Sequence, residues 1–133
     1  MAPSRKQSRE ITYRLIFACM QPDDNNFEIA CGEFSCPVGP ELEYVKKLVA
    51  ACFDNLDAID EIIKAQSKGF SFDRIFKTDL AALRMGIAEL RFFMGTPGVV
   101  AVNEAVEIAK RYGTEKSGGF VNGILAQVLN GKE

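Results

Sequence analysis

Apolar residues recur at helical spacing along most of this chain, and no stretch of convincing length alternates as a β-strand does. The clearest pattern lies in the C-terminal third, where two apolar stripes flank a polar link at residues 113–119. The members of the two stripes are Ala105, Ile108, Ala109 and Tyr112, then Val121, Ile124, Leu125 and Val128. The spacing predicts two amphipathic helices joined by that link.

The same period predicts further helices upstream. A first helix is expected over residues 4–20, and a short one over residues 27–34. The pattern over residues 40–66 predicts one long helix, or two if Asp54-Asn55 begins a second. Residues 78–94 carry an apolar stripe that predicts the central helix of the fold. We therefore predict an all-α protein.

Polar residues mark several of the expected helix starts. Ser71 is a candidate cap for a single turn, and Thr78 is a candidate cap for the central helix. Asn103 is a candidate cap for the next helix, whereas Asn122 falls inside the last one, where asparagine is a poor helix former. We therefore expect Asn122 to make a buried hydrogen bond to a neighbouring helix. Phe120 fits either the core or an exposed position, as a base-stacking aromatic residue requires.

The charge is unevenly distributed along a chain of ordinary composition. The 133 residues are 47% hydrophobic and 26% charged, which suffices for one buried core, and the net charge is −2. Residues 1–14 nevertheless carry +3, which leaves −5 for the remainder. The charged residues of this segment are Arg5, Lys6, Arg9, Glu10 and Arg14. A basic end on an acidic body suggests a local anion site, although for this segment taken alone we favour a solubilising terminus.

The cysteine content limits metal and redox chemistry. Cys19 and Cys52 lie on apolar stripes and are expected in the core. Cys31 and Cys36 could form half of a zinc site, but no second pair and no histidine completes the tetrahedron. We therefore expect reduced thiols, no metal site and no disulfide framework in a cytoplasmic protein. No apolar segment suggests a signal peptide or a membrane span.

Enzyme chemistry has little support in the residues. Histidine, the commonest general base, is absent. No glycine pattern of the Walker or dinucleotide-binding type is present, and the plentiful carboxylates fit solvated helix faces. We therefore favour binding over catalysis and predict neither catalytic residues nor a cofactor.

Several motifs together carry a resemblance to a known family. The strongest are Asn103-Glu104-Ala105-Val106-Glu107-Ile108-Ala109-Lys110, then Ser117, then Phe120-Val121-Asn122-Gly123-Ile124-Leu125. The upstream motifs are Ser8-Arg9-Glu10, Phe72-Asp73-Arg74-Ile75, Leu83-Arg84, Glu89-Leu90 and Pro97. At this spacing the chain resembles the NusB family of bacterial transcription antitermination factors over nearly its full length.

The resemblance implies a compact all-α bundle of about seven helices in two packed sub-bundles. Residues 1–133 would form a single RNA-binding domain. The family pairs with NusE, a ribosomal protein, and the pair binds boxA RNA in nascent ribosomal RNA leader transcripts. The resulting complex would help RNA polymerase to read through terminators, which is a binding function without turnover.

The resemblance also implies which residues form the site. Those expected to bind RNA are Arg5, Lys6, Arg9, Lys116, Ser117 and Phe120. Those expected at or near the NusE surface are Phe17, Asp73 and Asp79. Many family members carry an acidic residue in place of Lys116, so this chain should attract RNA more strongly there. Its N-terminal basic run is thinner, however, so we expect RNA binding to depend on the protein partner. The last helix is expected to lie beside the basic first helix.

Two alternatives share the same resemblance. A similar helical domain occurs at the N-terminus of some ribosomal RNA cytosine methyltransferases, an interpretation that requires a cofactor-binding domain after Glu133. Some family members resemble dimers that hide the RNA surface, so a regulatory homodimer is the other alternative. The residues alone leave the oligomeric state and the preferred RNA sequence open.

Overall fold

The computed structural model describes residues 3–67, 69 and 71–131, which form seven α-helices and one 3-10 turn. The helices are α1 (Arg5–Phe17), α2 (Asp24–Cys31), α3 (Pro40–Asp54), α4 (Leu56–Gln66), α5 (Lys77–Arg91), α6 (Gly98–Tyr112) and α7 (Ser117–Leu129). The 3-10 turn, Phe72–Arg74, precedes α5. The described residues contain no strand, and the prediction of an all-α fold with about seven helices is confirmed.

Helix α5 joins two groups of helices. In one group, α1 and α3 pack on each other and on α5, and α2 packs on α1. In the other group, α6 and α7 pack on each other and on α5, and α4 contacts α5 and α7. The side chains of Leu83, Met85 and Ile87 are fully buried because α5 is covered from both sides. The two groups correspond to the two predicted sub-bundles, with α5 shared between them.

The last helix packs differently from the prediction. The principal neighbours of α7 are α6, α5 and α4, whereas α1 packs chiefly on α3, α5 and α2 and less on α6. The prediction that α7 lies beside α1 is therefore wrong in this structure. The physical reason is that the apolar stripe of α7 is buried against α5 and α6, which separate it from the N-terminal group.

Gly86 allows α5 to pack closely against α6 and α7. A Cβ atom at this position would lie 2.8 Å from Cδ1 of Leu125 and 3.2 Å from Cβ of Ala105. Contacts this short require the neighbouring side chains to move, and cores filled to normal density resist such movement. The absent side chain of Gly86 therefore helps to set the distance between the three central helices.

The pattern over residues 40–66 divides into two helices at Asn55. Helix α3 ends one residue before Asn55 and α4 begins one residue after it. The Asn55 side-chain amide donates a hydrogen bond of 2.8 Å to the carbonyl oxygen of Ala51. This bond satisfies a backbone acceptor at the end of α3 and so competes with continuation of the helix.

Several predicted roles of polar residues at helix starts are wrong. Helix α5 begins one residue before Thr78, and Ser71 makes no capping hydrogen bond to the 3-10 turn. Helix α6 begins directly after Pro97, which places Asn103 in the second turn as an exposed residue. Asn122 is also exposed, so its predicted buried hydrogen bond is absent. Packing of the apolar stripes, rather than these side chains, determines where the helices begin.

The thiols also differ from the prediction. Cys31 and Cys36 form a disulfide, with their Cα atoms 5.5 Å apart, although reduced thiols were expected. Gly32 reverses the backbone with a φ of 58°, and the following turn brings the two cysteines together. Cys52 is buried as predicted, but Cys19 is an exposed free thiol because α1 ends before it.

Candidate nucleic-acid interface

A surface cavity of about 340 Å³ lies where the start of α5 meets the link before α7. Its lining residues come from the 3-10 turn and the two residues after it, from the first turn of α5, from the link and from the start of α7. They are Arg74, Ile75, Phe76, Asp79, Thr114, Lys116 and Phe120. The fold thus brings Asp79, predicted at the NusE surface, together with Lys116 and Phe120, predicted at the RNA surface.

Two aromatic side chains and two cations border this cavity. Phe76 is 60% exposed, and Phe120 is half-buried against the core. Arg74 and Lys116 are exposed, and neither forms an ion pair with a carboxylate in the described part of the chain. Lys116 also precedes the first turn of α7, where the helix dipole disfavours a cation and favours a bound anion. This combination suits a nucleic-acid strand, whose bases stack on aromatic rings and whose phosphates meet cations.

Asp79 supplies a buried carboxylate to the same cavity. Its side chain is 5% exposed, and its Oδ1 atom has no hydrogen-bond partner among the residues that the structure describes. The first turn of α5 favours a negative charge through the helix dipole. A desolvated acceptor without a donor is unfavourable by roughly 1–3 kcal/mol. A binding partner with a hydrogen-bond donor would therefore be stabilised at this position.

Ser117 stabilises the backbone of the link before α7. It is 1% exposed, and its Oγ atom accepts a hydrogen bond of 2.9 Å from the backbone amide of Thr114. The hydroxyl of Thr114 in turn accepts a hydrogen bond of 3.2 Å from the Lys116 amide. Ser117 therefore shapes the backbone that presents Lys116, and the structure does not expose it for the RNA contact that the sequence predicts.

The two basic residues at the start of α1 remain accessible. Arg5 donates two hydrogen bonds of 3.0 Å to Glu41, and Lys6 lies 3.0 Å from Glu104. The Arg5 and Lys6 side chains are 46% and 59% exposed. The hydrogen bonds between Arg5 and Glu41 raise the pKa of Arg5 and lower the pKa of Glu41. Exposed pairs of this kind contribute at most about 1 kcal/mol, so a phosphate can replace the carboxylate at small cost.

Arg9 occupies a very different environment from Arg5 and Lys6. It is 4% exposed and donates hydrogen bonds of 2.9 and 2.8 Å to the two oxygens of Glu89. Burial alone would lower the pKa of Arg9, but the hydrogen bonds to Glu89 and the neighbouring carboxylates raise it. This placement argues against the phosphate contact predicted for Arg9, because its guanidinium is buried and already hydrogen-bonded to Glu89.

Glu89 is the centre of a buried polar cluster that the sequence did not predict. Its Oε2 atom accepts hydrogen bonds of 2.8 Å from the hydroxyls of Tyr44 and Thr96, in addition to the bonds from Arg9. Burial, and then the charge of Glu89, raise the pKa of Tyr44 well above its ordinary range. The cluster joins α1, α3, α5 and the loop after α5. Glu89 belongs to one of the quoted motifs, and that is the only sequence signal for it.

The predicted NusE residues adjoin the start of α5 from two sides. Phe17 is 45% exposed, stacks on Tyr13 with ring centroids 6.2 Å apart, and borders a shallow pocket with Lys77. Asp73 is exposed in the 3-10 turn that precedes α5. Tyr13 links the two sides, because its hydroxyl donates a 3.0 Å hydrogen bond to the carbonyl of Thr78.

Two residues that line the cavity, Arg74 and Phe76, were not among the predicted site residues. Both fall in the aromatic stretch before α5, and Arg74 is part of a quoted motif, but neither was assigned a role. The sequence signal that could have found them is a cation between two aromatic residues over positions 72–76. The described residues contain no group of three side chains placed to bind a metal ion, and none of their helices is long and apolar enough to span a membrane.

Comparison with known proteins gives a consistent result. The sequence profile described as the NusB family matches residues 6–130. The transcription antitermination protein NusB of Natranaerobius thermophilus is 38% identical over 132 residues, covering 96% of this chain and 95% of that protein. NusB of Acetivibrio thermocellus is 40% identical over 131 residues, covering 96% of this chain and 90% of its own length.

Solved structures show the same similarity. A crystal structure of NusB from T. maritima superposes with a TM-score of 0.82 at 31% identity, covering 98% of this chain and 93% of that chain. A crystal structure of the antitermination factors NusB and NusE in complex with double-stranded RNA gives a TM-score of 0.81 at 28% identity. The similarity covers 96% of both chains.

Proposed function

The chain belongs to the NusB family, and on this basis we propose that it is a transcription antitermination factor that binds boxA RNA together with the ribosomal protein NusE. Family membership over residues 6–130 and the similarity to a chain of the NusB–NusE–RNA complex support the proposal. The structural observation that carries it is the cavity that brings Arg74 and Lys116, the aromatic rings of Phe76 and Phe120, and the carboxylate of Asp79 together. The prediction that this protein is not an enzyme is confirmed by its family.

The proposed RNA surface is a revision of the predicted one. Phe120 and Phe76 would stack on unpaired bases, and Lys116 and Arg74 would contact phosphates. Arg5 and Lys6 would extend the surface by exchanging their carboxylate partners for phosphates. The proposed roles of Arg9 and Ser117 are indirect, because both side chains are buried: Arg9 fixes α1 on α5, and Ser117 shapes the link that carries Lys116.

The proposed NusE surface is centred on the start of α5. Phe17 would supply an apolar anchor on one side, and Asp73 an exposed charge on the other. Asp79, in the first turn of α5, would accept a hydrogen bond from whichever partner fills the cavity. Because Asp79 lines the same cavity as Lys116 and Phe120, binding of either partner would complete this part of the surface for the other. This arrangement accounts for the predicted dependence of RNA binding on NusE.

The proposed cellular role follows from the family. The protein would join RNA polymerase on ribosomal RNA leader transcripts and help it to read through terminators, working in the cytoplasm as one RNA-binding unit over residues 1–133. The similarity covers 95% of the N. thermophilus protein, which supports an antitermination factor over an accessory domain of a methyltransferase. A homodimer that hides the cavity remains a regulatory proposal, and light scattering with and without RNA tests it.

The decisive experiment measures RNA binding with purified NusE present. Fluorescence anisotropy would compare a boxA RNA with a scrambled RNA of the same composition, with and without NusE. We expect selective binding only when both proteins are present, and weaker binding for Phe120→Ala. Lys116→Ala should also weaken binding, and Lys46→Ala, on α3 outside the cavity, is its matched control. Equal affinity for the two RNAs in the presence of NusE would overturn the proposal.

A further inference from the structure

Residues 31–36 form a small ring at the end of α2, closed by the disulfide between Cys31 and Cys36. The two sulfur-bearing residues differ in accessibility. Cys31 is 1% exposed, whereas Cys36 is exposed. A thiol in solution can therefore reach the bond at Cys36, while the Cys31 side chain stays within the core.

This ring contacts the guanidinium of Arg14 on α1. Its Nη1 atom donates to the carbonyl oxygens of Ala30 at 3.0 Å and Cys31 at 3.4 Å. The ring of Phe34 lies 4.9 Å from the guanidinium carbon, and a Glu33 carboxylate oxygen lies 3.6 Å from Nη2. Residues inside the disulfide ring thus provide a carbonyl, an aromatic face and a charge to one cation.

Arg14 connects the ring to α6. Its Nη2 atom donates to Glu10 at 3.1 Å, and its Nε atom donates to the Tyr112 hydroxyl at 2.9 Å. Tyr112 and Arg111 also donate hydrogen bonds to Glu10. The contacts of Arg14 therefore join the end of α2 to the helix that carries Arg5 and Lys6, and join both to α6.

We propose that Cys31 and Cys36 form a reversible thiol–disulfide site, opened by a dithiol and closed by the corresponding disulfide, whose state controls how firmly residues 31–36 hold Arg14. A disulfide in the cytoplasm is ordinarily transient or regulatory rather than structural. This expectation rests on the proposed function, which places the protein in the cytoplasm. The contacts of Arg14 with Cys31, Glu33 and Phe34 are independent of it.

The reaction is an ordinary thiol–disulfide exchange. A thiolate of the dithiol attacks Sγ of Cys36, the bond to Sγ of Cys31 breaks, and Cys31 leaves as a thiolate that takes up a proton. The second thiol of the reagent then attacks the mixed disulfide, which releases Cys36 as a thiol and leaves the reagent as a disulfide. Two electrons and two protons pass from the dithiol to the cysteine pair, and the reverse sequence closes the ring.

The first test is a redox titration of the full-length protein. The native protein is equilibrated with mixtures of reduced and oxidised dithiothreitol, quenched in acid, denatured and alkylated, and its thiols are counted by mass. We expect only species with two or all four cysteines alkylated, with a tenfold change in their ratio for roughly each 30 mV. Cys36→Ser should never form the ring. Four free thiols in every mixture, or a ring that excess dithiol leaves closed, would overturn the proposal.

The second test asks whether the ring controls Arg14. Hydrogen exchange is compared between oxidised and reduced protein, and we expect reduction to speed amide exchange by about tenfold in residues 28–36 and at the C-terminal end of α1. Cys36→Ser should exchange at the rates of the reduced protein, both with and without reductant. Cys19→Ser should show the same change on reduction as the wild type. Unchanged exchange in α1 would contradict control of Arg14. Neither test measures RNA binding, so a failure of this proposal can be distinguished from a failure of the proposed function.

Discussion

Arg9 and Glu89 form a two-point ion pair that is almost completely shielded from solvent, with exposed fractions of 4% and 1%. The pair fixes α1 on α5. The hydroxyls of Tyr44 and Thr96 complete the hydrogen bonding of the carboxylate. A residue of the basic N-terminal segment therefore supports the fold, while Arg5 and Lys6 remain available for ligand.

Replacing Glu89 with glutamine should strongly destabilise the protein. The amide removes the negative charge closest to the buried guanidinium of Arg9, since its other carboxylate neighbour, Glu104, is 3.9 Å away. Breaking a buried pair in this way costs about 3–5 kcal/mol. Urea unfolding measures the change. Glu61→Gln is the control, because Glu61 pairs with Lys64 at the surface and should change stability by less than about 0.5 kcal/mol. Equal losses for the two variants would contradict the role of the buried pair.

Arg5 and Arg9 should respond differently to the same substitution. Arg9→Met should lower the free energy of unfolding, because Glu89 then lacks its counter-ion in the core. Arg5→Met should leave stability nearly unchanged and weaken RNA binding, because Arg5 is half-exposed. Paired thermal unfolding and RNA titrations separate the two effects. A folded Arg9→Met protein with a selective loss of RNA binding would restore the direct phosphate contact that the sequence predicts.

Lys116→Ala should reduce the salt dependence of RNA binding. Each phosphate contact on a single strand contributes about 0.7 to the slope of log affinity against log salt concentration. The slope should therefore fall by about that amount, without a change in melting temperature, since Lys116 is exposed. Titrations at four or more salt concentrations measure the slope, with Lys46→Ala as the control. An unchanged slope would show that Lys116 does not contact an RNA phosphate.

The helices could be predicted well because each one buries an apolar stripe, and that stripe is visible in the residues themselves. Their exact starts were predicted poorly at Thr78 and Asn103, because burial outweighs the capping preference of one polar side chain. The resemblance predicted only some of the residues that line the cavity. Residues as distant as Asp79 and Phe120 line one site, and only the packing of α5 against α7 shows this.

Ion pairs between buried residues are a second kind of feature that could not be predicted from the sequence. Arg9 and Glu89 lie 80 positions apart, and no local spacing relates a basic N-terminal residue to a carboxylate on another helix. The disulfide was missed for a different reason. A chain with ample core-forming residues has no need of one, and only the turn at Gly32 brings Cys31 and Cys36 together.

Gly86→Ala should destabilise the helix junction although alanine is the better helix former. The new methyl group would lie 2.8 Å from Leu125, and overpacking of this kind costs about 1–3 kcal/mol. Gly123→Ala on α7 is the matched control, since its Cβ would have nothing within 4 Å. That variant should gain up to about 1 kcal/mol from helix propensity. Chemical unfolding measures both, and opposite signs are the expected result.

Cys52 should resist alkylation until the protein unfolds. Burial raises the pKa of its thiol to about 12, from an ordinary value of 9.0. At pH 8 only roughly one molecule in ten thousand would carry the reactive thiolate, whereas Cys19 is exposed. Because the raised pKa favours the neutral thiol in the folded state, its contribution to stability is complete below pH 9 and declines between pH 9 and 12. Iodoacetamide labelling followed by mass spectrometry would show Cys19 modified first, and equal rates would contradict the burial of Cys52.

Gly32→Ala should destabilise the oxidised protein more than Gly39→Ala does. Both glycines have positive φ angles, 58° and 60°, with ψ of −122° and −134°, so both substitutions strain the backbone similarly, by about 1–3 kcal/mol. Only at Gly32 would the new Cβ meet another group, Nη1 of Arg14 at 2.5 Å, whereas Gly39 has open space. Arg14 would have to withdraw from the carbonyls of Ala30 and Cys31, adding about 1 kcal/mol for the lost hydrogen bonds. Urea unfolding of both variants measures the difference, and equal losses would show that the turn does not hold Arg14.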